Sequence, residues 1–82
     1  MVILPLHPEI KKIIEKKGLV KKFEKQVTLF CSDPFYPGLN TEILEPKQMR
    51  IWSFRIDKKF RAIFIFRKPN EIEILDVNNH YQ

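Results

Sequence analysis

Three arginines are interleaved with apolar and aromatic residues in "RIWSFRIDKKFRAIFIF", residues 50–66: Arg50, Arg55 and Arg61. A guanidinium is a planar, permanently charged fork of N–H donors that matches the oxygens of a phosphate. The stretch "NNHYQ" places His80 beside Tyr81. Histidine can transfer a proton near neutral pH, and a neighbouring phenol can donate a hydrogen bond or stack on a base. We therefore hypothesise that both stretches serve one anion site.

The spacing of two of these arginines indicates that they face each other. If residues 57–59 form a three-residue turn, Arg55 lies directly opposite Arg61 on neighbouring antiparallel strands. Like charges in opposing positions destabilise a sheet. The two guanidiniums therefore either splay into water or bind an anion together, and the sequence leaves both alternatives open.

The positive charge of the chain is concentrated in this region. The net charge is +5, yet residues 47–68 contain eight cationic side chains and a single acid, Asp57. Such a charge density attracts polyanions. The alternative is a solvated basic surface that keeps a small protein soluble.

Two amphipathic helices are predicted to support the site. In "HPEIKKIIEKKG", Pro8 in the first turn and Gly18 after the last turn are helix start and stop signals, and His7 is expected to have a structural role at the cap. In "LVKKFEKQVTLFC", apolar residues four apart predict a second helix with one buried face, formed by Leu19, Phe23, Val27 and Cys31. The lone Cys31 has no partner for an internal disulfide, so we interpret it as a buried apolar residue.

Strands are predicted at both ends of the chain. "MVILPL" predicts a short first strand, whereas "SDPFYPGLNTE" and the overlapping "TEILEPKQ" are loop-like. "MRIWSFRID" and "FRAIFIF" alternate as strands do, and "EIEILDVN" is predicted as a third strand after a turn at "KPN". The predicted core contains Phe23, Val27, Trp52, Phe54 and Phe64. The predicted fold class is α+β over one domain, residues 1–82: a short N-terminal strand and two antiparallel helices packed on a small antiparallel sheet formed mainly by three C-terminal strands.

Composition excludes several classes of protein. A chain of 82 residues with 44% hydrophobic residues accommodates one modest core. No apolar run reaches the eighteen or more residues of a membrane span, and "MVILPLHPEI" lacks the basic start of a signal peptide, so we expect a soluble, cytoplasmic protein with no membrane partner. Two histidines and one cysteine indicate no metal site, and we expect no small-molecule cofactor.

The order of elements, together with two motifs, resembles the RelE/ParE superfamily of bacterial type II toxins across essentially the whole chain. The likeness is greatest to its YoeB-like members, which are ribosome-dependent mRNA interferases. The hairpin motif is matched by Trp52, Ser53, Arg55, Ile56, Arg61, Ile63 and Phe64, and the C-terminal motif by His80 and Tyr81. The resemblance implies a RelE-like fold and an endoribonuclease that cleaves mRNA at the ribosome and inhibits translation.

The resemblance also implies roles for particular residues. Arg61 matches the phosphate-binding arginine, His80 the general acid/base, and Tyr81 the terminal tyrosine. The catalytic glutamate of the YoeB-like members falls on Glu42, although Glu45 is close enough to take its place. The basic residues expected to contact RNA are Lys47, Arg50, Arg55, Lys58 and Lys59.

This chemistry is consistent with the residues themselves. Cleaving RNA with its own 2′-hydroxyl needs a base for that hydroxyl, an acid for the departing 5′ oxygen and fixed positive charge for the phosphorane. Carboxylate, histidine and arginine supply these without a metal. The resemblance further implies a cognate antitoxin, the ribosome and mRNA as partners. The alternatives are a ParE-like toxin that inhibits DNA gyrase without catalysis, a basic nucleic-acid-binding domain, and a degenerate toxin.

Overall fold

The computed structural model describes residues 1–79 of the chain. Within this range it contains two helices, α1 and α2, and five strands, β1 to β5. The helices are α1 (Pro8–Lys16) and α2 (Val20–Ser32), and the strands are β1 (Val2–Ile3), β2 (Glu42–Ile43), β3 (Trp52–Arg55), β4 (Arg61–Lys68) and β5 (Glu71–Asn78). Short 3₁₀-helical turns cover Pro37–Leu39 and Lys47–Met49. The predicted site residues His80 and Tyr81 lie outside the described residues.

All five strands form one mixed sheet in the order β1-β5-β4-β3-β2. β1 runs parallel to β5, and every other neighbouring pair is antiparallel. The three C-terminal strands occupy the centre, which confirms the predicted α+β architecture. The loop predicted over "TEILEPKQ" is wrong at its start, because β2 pairs with β3 there, with Glu42 opposite Ser53. A two-residue strand is too short to show an alternating pattern.

The helices begin and end as predicted, but the buried face of α2 differs. Gly18 has φ +68°, the left-handed conformation that glycine adopts readily, between the two helices. The buried positions are Leu19, Phe23, Gln26 and Phe30, whereas Cys31 is exposed. The prediction that Cys31 is buried is therefore wrong. With 3.6 residues per turn, a strict spacing of four rotates by about 40° at each step, so its fourth member has left the buried face.

Three phenylalanines form the centre of the core between α2 and the sheet. Phe30 lies 5.0 Å from Phe54 and 5.2 Å from Phe64, measured between ring centroids, and all three side chains are fully buried. Val27 and Trp52 are partly buried against this core. The predicted core is therefore confirmed, with Phe30 in addition.

The N-terminal side of α1 shows a different role for its histidine. His7 occupies the N-cap position but makes no capping hydrogen bond with its side chain. Its Nε2 atom instead lies 2.6 Å from Oε2 of Glu73 on β5. The structural interpretation of His7 holds, but its side chain ties the start of α1 to the sheet. Among residues 1–79, neither helix has the length and apolar character needed to cross a membrane.

Candidate anion-binding site on the basic hairpin

The β3–β4 hairpin has the predicted register, with Arg55 directly opposite Arg61. Its turn is held by Asp57, whose Oδ1 accepts hydrogen bonds from the backbone N–H groups of Lys59 at 2.8 Å and Phe60 at 2.7 Å. Partial burial alone raises the pKa of Asp57, but these two hydrogen bonds and nearby Lys22 together lower its pKa below the usual value. The carboxylate therefore stabilises the turn in its ionised form.

Arg61 is a buried cation with a fixed orientation. Only 8% of the residue is exposed. Its Nε donates a hydrogen bond to Ser53 Oγ at 2.9 Å, and its Nη2 donates one to the backbone oxygen of Asn40 at 2.6 Å. Burial lowers the pKa of Arg61, Glu42 raises it and Arg55 lowers it further. Because an arginine side chain is effectively always protonated in proteins, the site keeps a positive charge held by two directed bonds.

Asn40 contacts both arginines of the opposing pair. It has φ 46°, in the left-handed region that asparagine tolerates better than most residues. In the amide orientation that satisfies both side-chain atoms, its oxygen accepts from Arg55 Nη2 at 2.7 Å and its nitrogen donates to the Pro37 oxygen at 3.1 Å. The backbone oxygen of Asn40 binds Arg61. One loop residue therefore provides acceptors for both guanidiniums and offsets their mutual repulsion.

Gln26 connects this arrangement to helix α2. The side chain is buried, and its Nε2 donates to the backbone oxygen of Arg55 at 2.7 Å and to that of Gly38 at 3.5 Å. The hairpin and the loop that carries Asn40 are thus anchored to the same helical side chain. Sequence reasoning missed both Asn40 and Gln26. The available signals were an asparagine shortly after a proline–glycine pair and a glutamine within an apolar helical stripe.

The carboxylate beside Arg61 belongs to Glu42. Its Oε1 lies 3.8 Å from Arg61 Nη2, which is within ion-pair range but beyond hydrogen-bond distance, and 56% of its side chain is exposed. Among residues 1–79, no ion pair joins Arg61 to the alternative, Glu45. Strand β2 accounts for this placement, because it pairs Glu42 with Ser53, the residue that accepts from Arg61.

Strand β5 ends next to the same arginine. Its last residue, Asn78, is the cross-strand partner of Arg61, and Asn78 Nδ2 donates to Asp76 Oδ2 at 2.7 Å. The chain therefore leaves the sheet beside Arg61, two residues before His80 in the sequence. The structure brings together Arg61, Arg55, Glu42 and the end of β5, while His80 and Tyr81 stay predictions.

The other basic residues are divided between the two ends of the hairpin. Lys58 and Lys59 line an open depression with Arg55, Asp57 and Lys22, which sequence reasoning did not include because it comes from α2. Lys47 and Arg50 precede β3 at the end remote from the turn. Within residues 1–79, no three side chains of histidine, cysteine, aspartate or glutamate converge as metal ligands.

Several solved structures share this architecture over nearly their whole length. A YoeB/ParE toxin from Agrobacterium tumefaciens is 18% identical with a TM-score of 0.73, and the alignment covers 99% of this chain and 100% of that one. A YoeB–YefM complex from Staphylococcus aureus gives 21% identity and a TM-score of 0.70, covering 99% and 98%. A mutant toxin from Helicobacter pylori gives 20% identity and a TM-score of 0.71, covering 98% and 96%.

The similarity lies in the structure more than in the sequence. No protein-family model matches the chain, and no curated protein matches it by sequence. At 18% to 21% identity, the solved structures establish the arrangement of helices and strands, and they agree with the RelE-like architecture expected from the hairpin and C-terminal motifs. The chain therefore has the fold of the YoeB/ParE toxins.

Proposed function

We propose that the chain is the toxin of a bacterial type II toxin–antitoxin system, and that it acts as a metal-independent endoribonuclease on mRNA at the ribosome. The observation that carries this proposal is the fixed, buried guanidinium of Arg61, which lies beside Glu42 and belongs to a residue paired with the last residue of β5. A site with one preorganised cation and an adjacent exposed carboxylate suits the cleavage of a phosphodiester. Similar solved structures are themselves named as toxins.

The proposed reaction uses the 2′-hydroxyl of the RNA as its nucleophile. The 2′ oxygen attacks phosphorus while the bond from phosphorus to the 5′ oxygen breaks, which leaves a 2′,3′-cyclic phosphate and a 5′-hydroxyl. Glu42 accepts the proton of the 2′-hydroxyl, and His80 donates a proton to the departing 5′ oxygen. Arg61 stabilises the charge that develops on the phosphorane, and Tyr81 binds the flanking nucleotide.

The geometry of β5 supports the assignment of His80. Asn78, the last residue of β5, lies opposite Arg61, and His80 follows it by two positions in the sequence. The two acceptors that hold Arg61 are fixed by the fold, because Ser53 is part of β3 and Asn40 contributes its backbone oxygen. The guanidinium therefore needs no reorientation during the reaction. Such preorganisation lowers the barrier because the charge is already oriented.

The tip of the hairpin is the proposed docking surface for RNA. Lys22, Arg55, Lys58 and Lys59 line one open depression with a single acid, Asp57. One oxygen of Asp57 holds the turn, and the other lies 3.5 Å from Lys22 Nζ. A polyanion gains from such a surface by releasing its counterions. If the protein is a toxin, this RNA-docking surface has to be blocked while the toxin is held inactive. We therefore propose a cytoplasmic protein with a cognate antitoxin, a partner that the similar YoeB–YefM complex supports. We further propose that an acidic segment of this antitoxin covers the hairpin.

The proposal is tested by inducing the chain in a bacterial host and mapping new mRNA ends. We expect growth arrest together with cleavage inside coding regions, and both effects should disappear in Arg61→Ala. DNA supercoiling is measured in the same cells. Arrest with intact mRNA and altered supercoiling would assign the chain to the gyrase-inhibiting toxins instead.

A further inference from the structure

A second basic surface lies at the opposite end of the hairpin from the turn. It is a groove of about 460 Å³ lined by Arg50, Trp52, Phe66, Arg67, Lys68 and Pro69. Along β4, Phe66 is five residues from Arg61, a distance of roughly 16 Å at the rise of a strand. Trp52 and Phe66 also lie on the sheet face that packs against the helices, whereas Arg61 points to the other face. The groove is thus separate from the candidate anion-binding site.

Aromatic rings form the floor of this groove. The ring of Trp52 packs edge to face on Phe66, with 5.7 Å between centroids, and Phe35 approaches Trp52 in the same manner at 5.9 Å. Trp52 and Phe66 are half-buried, and Phe35 is 58% exposed. These neighbours hold the indole in one orientation while leaving aromatic surface open to solvent. A rigid, partly exposed aromatic group is the usual platform for a stacked nucleobase.

The rim of the groove is cationic. Arg50, Arg67 and Lys68 line it together with apolar residues, and no carboxylate is among the lining residues that the structure describes. Arg67 Nε donates to Glu73 Oε1 at 2.6 Å, and the other oxygen of Glu73 contacts His7. The His7 and Arg67 hydrogen bonds hold the pKa of Glu73 below its usual value, which favours the ionised carboxylate. This ion pair fixes the orientation of Arg67 and offsets part of its positive charge. Arg50 and Lys68 form no ion pair with any residue in the described part of the chain.

The backbone at Arg50 is unusual. Its φ of 55° is in the left-handed region, which is uncommon for arginine and costs on the order of 1 kcal/mol. In this conformation the residue ends the 3₁₀-helical turn Lys47–Met49 and lies two positions before Trp52. A glycine or asparagine would adopt this conformation at lower cost. The sequence instead retains a cation beside the aromatic floor.

We propose that this groove binds single-stranded RNA, with a base stacked on Trp52 and its flanking phosphates on Arg50 and Lys68. Cations around aromatic rings are the combination that binds unpaired nucleic acid without sequence preference. An acidic peptide would use the same charges but has no need of a rigid aromatic floor. The inference rests on the proposed function, because RNA is the ligand in both. The groove gives the RNA a second attachment point, distant from the phosphate that is cleaved.

Trp52 is the single tryptophan of the chain, so its fluorescence reports directly on the groove. The full chain is titrated with a 2′-O-methyl oligouridylate, which lacks the free 2′-hydroxyl and is not cleaved. We expect saturable quenching of Trp52 fluorescence. Inorganic polyphosphate at equal phosphate concentration, which has no bases, should bind weakly and leave the fluorescence nearly unchanged.

Two charge-neutralising variants separate the groove from general electrostatics. Arg50→Asn removes the cation and keeps a residue that tolerates the left-handed backbone. We expect affinity to fall roughly three- to tenfold, and the slope of log K against log salt to decrease by about 0.7. Lys12→Gln, on the exposed side of α1, removes the same charge and should bind as the parent does. Thermal melting confirms that both variants fold.

Any of three results would overturn the inference. The first is equal affinity of Arg50→Asn and Lys12→Gln for the oligouridylate, and the second is quenching of Trp52 fluorescence by polyphosphate as strong as that by the oligouridylate. The third is tighter binding of polyglutamate than of the oligouridylate, measured by Trp52 fluorescence. The last result would assign the groove to an acidic peptide. Because the methylated RNA is not cleaved, this test is independent of catalysis. If the oligouridylate quenches Trp52 fluorescence but the protein cuts no RNA, only the ribonuclease proposal is contradicted. If the protein cuts RNA but its Trp52 fluorescence does not respond to the oligouridylate, only the groove proposal is contradicted.

Discussion

Replacing Arg61 with lysine keeps the charge of the site but removes its fork of donors. The two bonds of Arg61 leave from different nitrogens, Nε to Ser53 Oγ and Nη2 to the Asn40 oxygen. A lysine has one nitrogen at the end of a flexible chain, so it cannot occupy both positions. Ser53 is fully buried, and leaving its hydroxyl without this donor costs about 1–3 kcal/mol. For a domain of this size, each kcal/mol lowers the melting temperature by roughly 4–8 °C.

The same substitution should reduce catalysis more than binding. Since the positive charge remains, affinity for RNA at low salt is expected to change little. The cleavage rate should fall by about two orders of magnitude, the usual effect of losing one preorganised donor to transition-state charge. Single-turnover cleavage and thermal melting of Arg61→Lys measure the two effects separately.

Arg55→Lys is the matched control, because Arg55 occupies the opposing position on β3 and is exposed. Its stability should stay within about 1 kcal/mol of the parent, as expected for an exposed charged side chain. If Arg61→Lys melts at the parental temperature and cleaves at the parental rate, the directed bonds to Ser53 and Asn40 have no role, and our reasoning on Arg61 is refuted.

Three further substitutions test other parts of the structure. Phe64→Ala should destabilise the fold by about 3–5 kcal/mol in chemical denaturation, because the ring is fully buried, and an unchanged midpoint would contradict the core. Asn40→Gly keeps the left-handed backbone and the oxygen that binds Arg61, so stability should change by no more than about 1 kcal/mol while cleavage falls roughly tenfold through the loss of the Arg55 contact. The pKa of Asp57 is lowered by folding, so its stabilising effect is complete above about pH 4 and is lost as the pH falls through the depressed pKa. The difference in unfolding free energy between the parent and Asp57→Asn should therefore shrink on acidification, and a constant difference would contradict the role of the turn.

The parts of the fold that local rules determine were predictable from sequence. The alternation along "MRIWSFRID" and "FRAIFIF" and the short turn between them together restrict the register of the two strands. The prediction that Arg55 lies opposite Arg61 followed from this register and is confirmed. The third predicted strand, residues 71–78, coincides with β5. Strand faces are set by a period of two, which short segments reveal reliably when one face is buried.

Contacts between distant segments were not predictable in the same way. The bonds from Gln26 to the Arg55 oxygen and from Asn40 to both arginines join residues separated by many positions, and polar side chains carry no periodic signal. Cys31 was misplaced because a strict spacing of four was extended beyond the width of a helix face. The roles of His80 and Tyr81 rest on the chemistry of their side chains and on the resemblance, and they stay predictions.

The rate at which His80→Ala cuts mRNA on purified ribosomes tests the central claim most directly. Asn79→Ala is the control, because it alters the neighbouring residue, to which we assign no role in the reaction. We predict that the parent and Asn79→Ala leave 2′,3′-cyclic phosphate and 5′-hydroxyl ends, and that His80→Ala folds normally but cuts about a hundredfold more slowly or worse, the scale of losing a general acid. Cleavage by His80→Ala at the parental rate would contradict the proposed mechanism.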